Sequence, residues 1–279
     1  MTVGKRPIIS YTLLIVIAIA GIVPFTWVIY GSFMPRSDID AGRLWPSDGT
    51  DGFTLANYRL TFDKLQGFDL YYRNSLLLAV GGTFLVLLAG SLAAFALARY
   101  RFLGNRLIFL IFLLTIMVPA EVTLMGQFDL LLATGLYSTL TGLCLSYVAG
   151  NLVLTIFLMR NVFAGIPNDV IDAAAIDGAS RWQVFWQVCM PIGANGLSAC
   201  AILTFLNIWN EFTFALTMTV TDKAMTLPVG ITLLQGQWSV THSGALFATV
   251  MMSFVPMALV FVLLQKYFVR GLTAGAVKG

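Results

Sequence analysis

Charge is what this 279-residue chain has least of: only 10% of its residues are Asp, Glu, Lys or Arg, where a soluble globular chain carries about 25%. Sixteen basic and 13 acidic residues cannot cover a water-facing surface of this size. Hydrophobic residues make up 58%, and the mean hydropathy is +0.87. These figures exclude a soluble enzyme and a disordered chain. A net charge of +3 is too small for a phosphate-backbone footprint, which excludes a nucleic-acid partner. Cysteine is scarce too. Cys144, Cys189 and Cys200 stand far apart in apolar stretches without CxxC spacing, so they read as small buried hydrophobes rather than disulfides or metal ligands. His242 is the single histidine, so no His-rich metal site can form. The GxxxxGK[ST] phosphate loop, HExxH and GxSxG are all missing, which removes a nucleotide site and two common enzyme constellations. What remains is an integral membrane protein with several spans.

The few charges punctuate the chain, so the gaps between them read as spans. Residues 7–35 form a charge-free gap of 29 residues. A hydrocarbon core of ~30 Å needs about 20 helical residues. The gap follows Lys5 and Arg6 as a signal peptide would, but it is too long for an h-region and no small-x-small cleavage site follows. The expectation is an uncleaved first helix near 8–33. Residues 74–98 supply a second span. Residues 107–120 are charge-free for only 14 positions, so a third span must reach past Glu121. Residues 130–159 give a fourth, 195–217 a fifth that contains Glu211, and 243–265 a sixth. The apolar character is continuous rather than alternating, so these are helices and not barrel strands. The predicted architecture is all-α, with six transmembrane helices in a single domain over 1–279. It comprises an outer loop at 34–72, core helices over 73–268 and a tail at 269–279.

Six spans put both termini on one side. With the termini inside, ten basic residues lie on inner segments and six on outer ones, and the excess of inner Lys and Arg favours this orientation. The outer loop is broken by Pro35, Pro46, Gly49 and Gly52, and its 53–58 stretch reads as a turn into a short amphipathic element. The inner loop at 161–191 says more. Asn168 can cap a helix that starts after Pro167, and Asp169 suits its positive end. Gly178 can take the left-handed conformation that ends it. Ser180 then caps a second helix, with Trp182, Phe185, Trp186 and Cys189 at i, i+3, i+4 and i+7, and Pro191 stops that helix. Ala173 and Ala174 leave a low surface that a partner can approach closely.

The run Asp172-Ala173-Ala174-Ala175-Ile176-Asp177-Gly178-Ala179-Ser180, with Pro191 thirteen residues after Gly178, resembles the EAA loop of ABC-importer permeases. That pattern is E-A-A, three residues, G, nine residues, then I-x-L-P. Here Asp172 replaces Glu, Val188 replaces Ile and Met190 replaces Leu, each conservative in charge or apolarity. Leu55-Ala56-Asn57-Tyr58, Arg73-Asn74-Ser75, Ala96-Leu97-Ala98-Arg99-Tyr100-Arg101-Phe102, Trp209-Asn210-Glu211-Phe212 and Tyr267-Phe268-Val269-Arg270-Gly271-Leu272 are similar to the carbohydrate-type permeases of the maltose-permease class. The resemblance covers nearly the whole chain. It implies the type I ABC importer permease fold in a bacterial or archaeal plasma membrane, with both termini cytoplasmic. It also implies that the 168–178 helix couples to a separate ATPase through Asp172, Ala173, Ala174, Asp177, Gly178, Ala179 and Pro191. ATP and Mg would sit on that ATPase, leaving no cofactor on this chain. The usual assembly adds a second homologous permease, two ATPase copies and an extracytoplasmic sugar-binding protein.

Within the bilayer, Glu121 and Glu211 need an explanation, because an intramembrane carboxylate is expensive and faces a polar interior. Asn207, Asn210 and Glu211 are spaced for one face of a continuous fifth helix. With Trp209 they offer amide, indole and carboxylate groups that could hold sugar hydroxyls or fix a gate or subunit interface. Asn151 has the same two readings. Pro119, Pro256, Gly81, Gly82 and Gly90 suit kinks and close helix packing. Two competing functions are an ABC permease for another solute and a secondary transporter using Glu121 or Glu211 for protons. The latter would leave the capped inner helices without a purpose.

Overall fold

The structure is a computed structural model that describes residues 6–64, 67–238 and 243–276; Lys5, His242 and Lys278 lie outside them. Its regular structure is helical. Among the described residues, four helices are long and apolar enough to cross a membrane, and up to six spans result if each of two bent pairs counts as one. The chain forms two compact units, Met1–Asp69 with Gly230–Val255 and Leu70–Val229 with Pro256–Gly279.

In the first unit, α1 (Arg6–Phe33) is an uninterrupted helix, and none of its apolar window is buried within the chain. Such a surface is stable only when lipid tails replace water around it. Its far end is docked by polar and aromatic contacts. Asn57 donates its amide to the carbonyls of Ser32 (3.0 Å) and Met34 (2.9 Å), which closes the end of α1. Tyr58 and Ser32 hydroxyls meet at 2.9 Å. Asn57 and Tyr58 lie on α3 (Ala56–Lys64), which follows the short helix α2 (Arg36–Asp40). Asp38 is 4% exposed and accepts from Ser47 N–H and Arg43, each at 3.0 Å. The Ser47 amide holds its carboxyl below the usual carboxylate range despite the opposing cost of burial, with the Ser47 hydroxyl and Arg43 adding to the effect.

The second unit is built on α4 (Phe68–Arg99), α7 (Leu140–Ala164) and α10 (Ala194–Trp209). Between them in the sequence run α5 (Asn105–Thr115), α6 (Leu124–Ala133), α8 (Asn168–Ile176) and α9 (Arg181–Ile192). After them come α11 (Thr213–Met218), α12 (Leu227–Trp238) and α13 (Ser243–Ala276), of which residues 230–255 belong to the first unit. The core helices approach closely where one side has no side chain. A methyl at Gly90 would stand 2.7 Å from Thr155 Cγ2, and one at Gly196 would stand 2.6 Å from Val162 Cγ2. Small residues admit this packing where lipid offers no hydrophobic drive between helices.

Several sequence expectations need correction here. The third span is not one helix: the pair over Asn105–Thr115 and Ala120–Ala133 bends by 100° at a break that holds Pro119. A proline lacks the N–H that would continue the ladder. The expected fourth span begins at Leu140 rather than near 130, because Leu130 belongs to α6. The fifth is interrupted after Trp209 and resumes at Thr213. The sixth helix extends to Ala276, into the stretch expected as a tail.

Gly90→Val should therefore lower the thermal stability of the detergent-solubilised protein by roughly 1–3 kcal/mol, the usual cost of overpacking. Gly81→Ala should not, since no atom lies within 4 Å of the added methyl. Unfolding followed by size-exclusion chromatography after heating distinguishes the two.

Candidate functional site

Two places in the second unit gather the sequence's candidate residues. The first is a cavity of about 520 Å³ lined by the α5–α6 break (Thr115, Pro119, Thr123, Gln127), by α7 (Ser146, Tyr147, Asn151) and by Asn207, Glu211 and Phe214. Its chemistry follows from the interruption at 210–212. A helix that stops leaves carbonyls on one side of the break and amides on the other without intrahelical partners. Asn210 serves the carbonyl side, donating its amide to Leu206 O at 2.8 Å. Glu211 serves the amide side: it accepts from Phe214 N–H at 2.8 Å and Ala215 N–H at 3.1 Å. The carboxylate is also the acceptor for the Tyr147 hydroxyl at 2.6 Å, which ties the restart of the helix to α7. Charge-assisted bonds of this kind are the stronger class.

Asn151 donates to Tyr147 O at 2.8 Å, and both Asn151 and Asn207 line the cavity. The structure thus brings Asn151, Asn207 and Glu211 together. It does not bring the others. Trp209 is buried, stacked on Phe205 and edge-on to Tyr72. Asn210 turns to the helix end and to the Met257 sulfur at 3.4 Å. Glu121 lies exposed in the turn Ala120–Thr123, off the cavity wall. The single helical face expected for Asn207, Asn210 and Glu211 fails because the helix ends between them. Sequence reasoning also missed Tyr147, although a membrane carboxylate demands a donor nearby.

The second place is the loop helix pair. Gly178 has φ +85°, and Ala179 N–H reaches Ala174 O at 3.0 Å, closing the end of α8 as expected. Ser180 and Gln183 form a reciprocal capping box at the start of α9. Asn168 does not cap α8, whose preceding residue is Pro167. Its side-chain oxygen instead accepts from Arg99 at 2.9 Å. The same guanidinium donates to the carbonyls of Phe163 and Ile166 at the end of α7. One arginine from the end of α4 therefore holds both the last turn of α7 and the first residue of α8.

Ile171, Ala174 and Ala179 pack on a buried cluster that includes Phe95, Phe163 and Phe185. Ala174, expected against a partner, is partly buried on this cluster. The open side carries Asp172, Ala173, Asp177 and Ile176, the last 86% exposed. In α9, residues Val184–Cys189 are wound as a π-helix, which adds a residue per turn. Val184, Phe185 and Cys189 are buried together, whereas Trp182 and Trp186 are exposed. The face expected for Trp182, Phe185, Trp186 and Cys189 is split accordingly. Pro191 lies in the final turn before α9 ends at Ile192, and the chain then bends by 77° into α10.

Residues 86–274 match the family model for the inner membrane component of binding-protein-dependent transport systems. The chain belongs to this family. It is a transport permease and not an enzyme, and it is a multi-pass membrane protein whose transport system depends on a binding protein. It is 36% identical over 267 residues to the trehalose/maltose transport system permease MalG of Thermococcus litoralis, covering 95% of this chain and 94% of that protein. The trehalose transport system permease SugB of Mycobacterium tuberculosis is 34% identical, with 92% and 93% covered. The fold matches a chain of a crystallised bacterial ABC transporter involved in import of the acidic polysaccharide alginate, with a TM-score of 0.80, 24% identity, and 94% and 96% of the two chains covered.

Arg99→Ala should free two carbonyls and the Asn168 oxygen, and leaving buried polar groups unpaired costs about 1–3 kcal/mol. Amide exchange over residues 163–178 should rise roughly 5- to 100-fold, with little change in α10, when followed by mass spectrometry.

Proposed function

We propose that this chain is the carbohydrate-translocating permease of an ATP-driven importer. It forms half of a pore with a second homologous permease and is moved by two copies of a separate ATPase that hold ATP and Mg. Both termini are cytoplasmic, as the ten-to-six distribution of basic residues favours. The observation that carries the coupling role is the open side of α8: a short helix closed by Gly178, anchored by Arg99, and presenting Asp172, Ala173 and Ile176 outward. A helix fixed to the bundle on one side and bare on the other transmits a push without deforming. Asp177 and Ala179 border its end, and Pro191 lies in the last turn before the bend into α10. An ATPase cleft closing on α8 would therefore move α10 and the polar cavity.

The substrate class rests on the relatives. Relatives of this chain are named for trehalose/maltose, diacetylchitobiose and arabinooligosaccharides, and the amides of Asn151 and Asn207 suit hydroxyl recognition. An extracytoplasmic binding protein would deliver the sugar. In this reading Glu211, Asn210 and Trp209 shape the helix interruption, Asn207 and Asn151 face the sugar, and Glu121 lies outside the contact set.

The test is uptake by the reconstituted complex with a panel of sugars. One or more saccharides should accumulate only with ATP present, and a protonophore should leave uptake unchanged. Gly178→Asp forces a side chain into the left-handed region, at about 1–2 kcal/mol, and places it on the open end of α8. Coupled uptake should fall at least 10-fold while the protein stays in the membrane. Full uptake together with normal ATPase co-purification in this variant would remove α8 from the coupling path.

A further inference from the structure

The cavity wall carries a charge pattern that narrows the cargo further, and the inference rests on the carbohydrate reading above. Among the described residues, no Lys, Arg or His lines the cavity, and its one charged group is Glu211. Three donors already occupy that carboxylate: Tyr147 Oη, Phe214 N and Ala215 N. Three of about four acceptor positions are used, so Glu211 is held as part of the wall. It still adds negative charge there and none that is positive. The remaining polar groups are uncharged, with Gln127, Asn151 and Asn207 as amides.

Three arginines of this unit are engaged away from the cavity. The Arg99 guanidinium binds loop carbonyls and Asn168. Arg160 lies over the Phe109 ring at 4.0 Å, and Arg181 over Tyr100 at 5.0 Å. A saccharide carboxylate entering the cavity would lose water, meet no counter-ion and approach a fixed carboxylate. Desolvating an anion without a partner is costly, and a like charge adds to the cost. Neutral hydroxyls meet amides that donate and accept, at no such penalty. The alginate importer with the same fold carries an acidic polysaccharide, so the scaffold alone does not set this preference.

We propose that this chain's half of the path is built for uncharged saccharides and rejects acidic ones. The proposal also makes Tyr147 a positioning residue, because its hydroxyl fixes the carboxylate against the wall.

The experiment measures equilibrium binding to the purified permease–ATPase complex in nanodiscs, without binding protein, at low salt. The probes are trehalose, maltose and diacetylchitobiose against hexuronate disaccharides of matched size. Neutral probes should bind at least 10-fold more tightly than the uronates. Asn207→Arg should close or reverse that gap, and Gln127→Arg serves the same purpose if the first variant does not assemble. Tyr147→Phe should widen the gap by at least 3-fold by releasing the carboxylate toward the cavity, while the proportion of folded complex stays unchanged. Equal or tighter uronate binding to the unaltered complex would overturn the proposal while leaving the carbohydrate reading in place. An unchanged gap in both arginine variants would do the same. Failure of every saccharide to bind or be taken up would overturn both.

Discussion

A helix that is interrupted within a membrane protein's apolar body must find partners for the backbone groups its break exposes. The interruption at 210–212 meets this demand with adjacent side chains of opposite type. Asn210 donates toward the last carbonyls of α10, and Glu211 accepts from the first amides of α11. Tyr147 completes the arrangement from α7. The polar cavity exists because this solution needs polar groups in the wall, and those groups leave Asn151 and Asn207 facing the same space.

The other end of α10 is tied to the loop helices. α9 runs into α10 through a 77° bend, and α8 and α9 share the aromatic cluster around Phe95, Phe163 and Phe185. Arg99 fixes the point where α7 turns into α8. Displacement of α8 therefore acts on a packed, hydrogen-bonded body rather than on a free loop. The path from loop helix to cavity is short in sequence, from 168 to 211, and passes through elements of one compact unit.

Much of this was legible in the sequence because charge marks the ends of spans. The first, second and sixth helices follow from charge-free gaps, and Gly178 and Ser180 behave as their chemistry dictates. The interrupted spans were not legible in the same way. Apolar composition reports where lipid can lie, and it is silent on where the backbone ladder fails. Pro119 signalled a kink but not a 100° bend. Glu211 signalled a polar environment, whereas its use on backbone amides depends on a break that no periodicity announces. Asn168 was ambiguous for another reason: the same side chain can cap its own helix or accept from Arg99, 69 residues away. The spacing argument failed in α9, where the π stretch Val184–Cys189 buries Val184, Phe185 and Cys189 together while Trp182 and Trp186 stay exposed. The open side of α8 carries Asp172, Ala173, Ile176 and Asp177, which apolar patterning in the loop does not single out.

Photo-crosslinking from α8 tests the central claim most directly. A benzoylphenylalanine placed at Ile176, on the open side, should capture the ATPase in the assembled complex, and the yield should change when ATP is added. The same group at Ile171, on the packed side, should capture only the permease itself. Capture of lipid alone from position 176, with an intact complex present, would contradict the account.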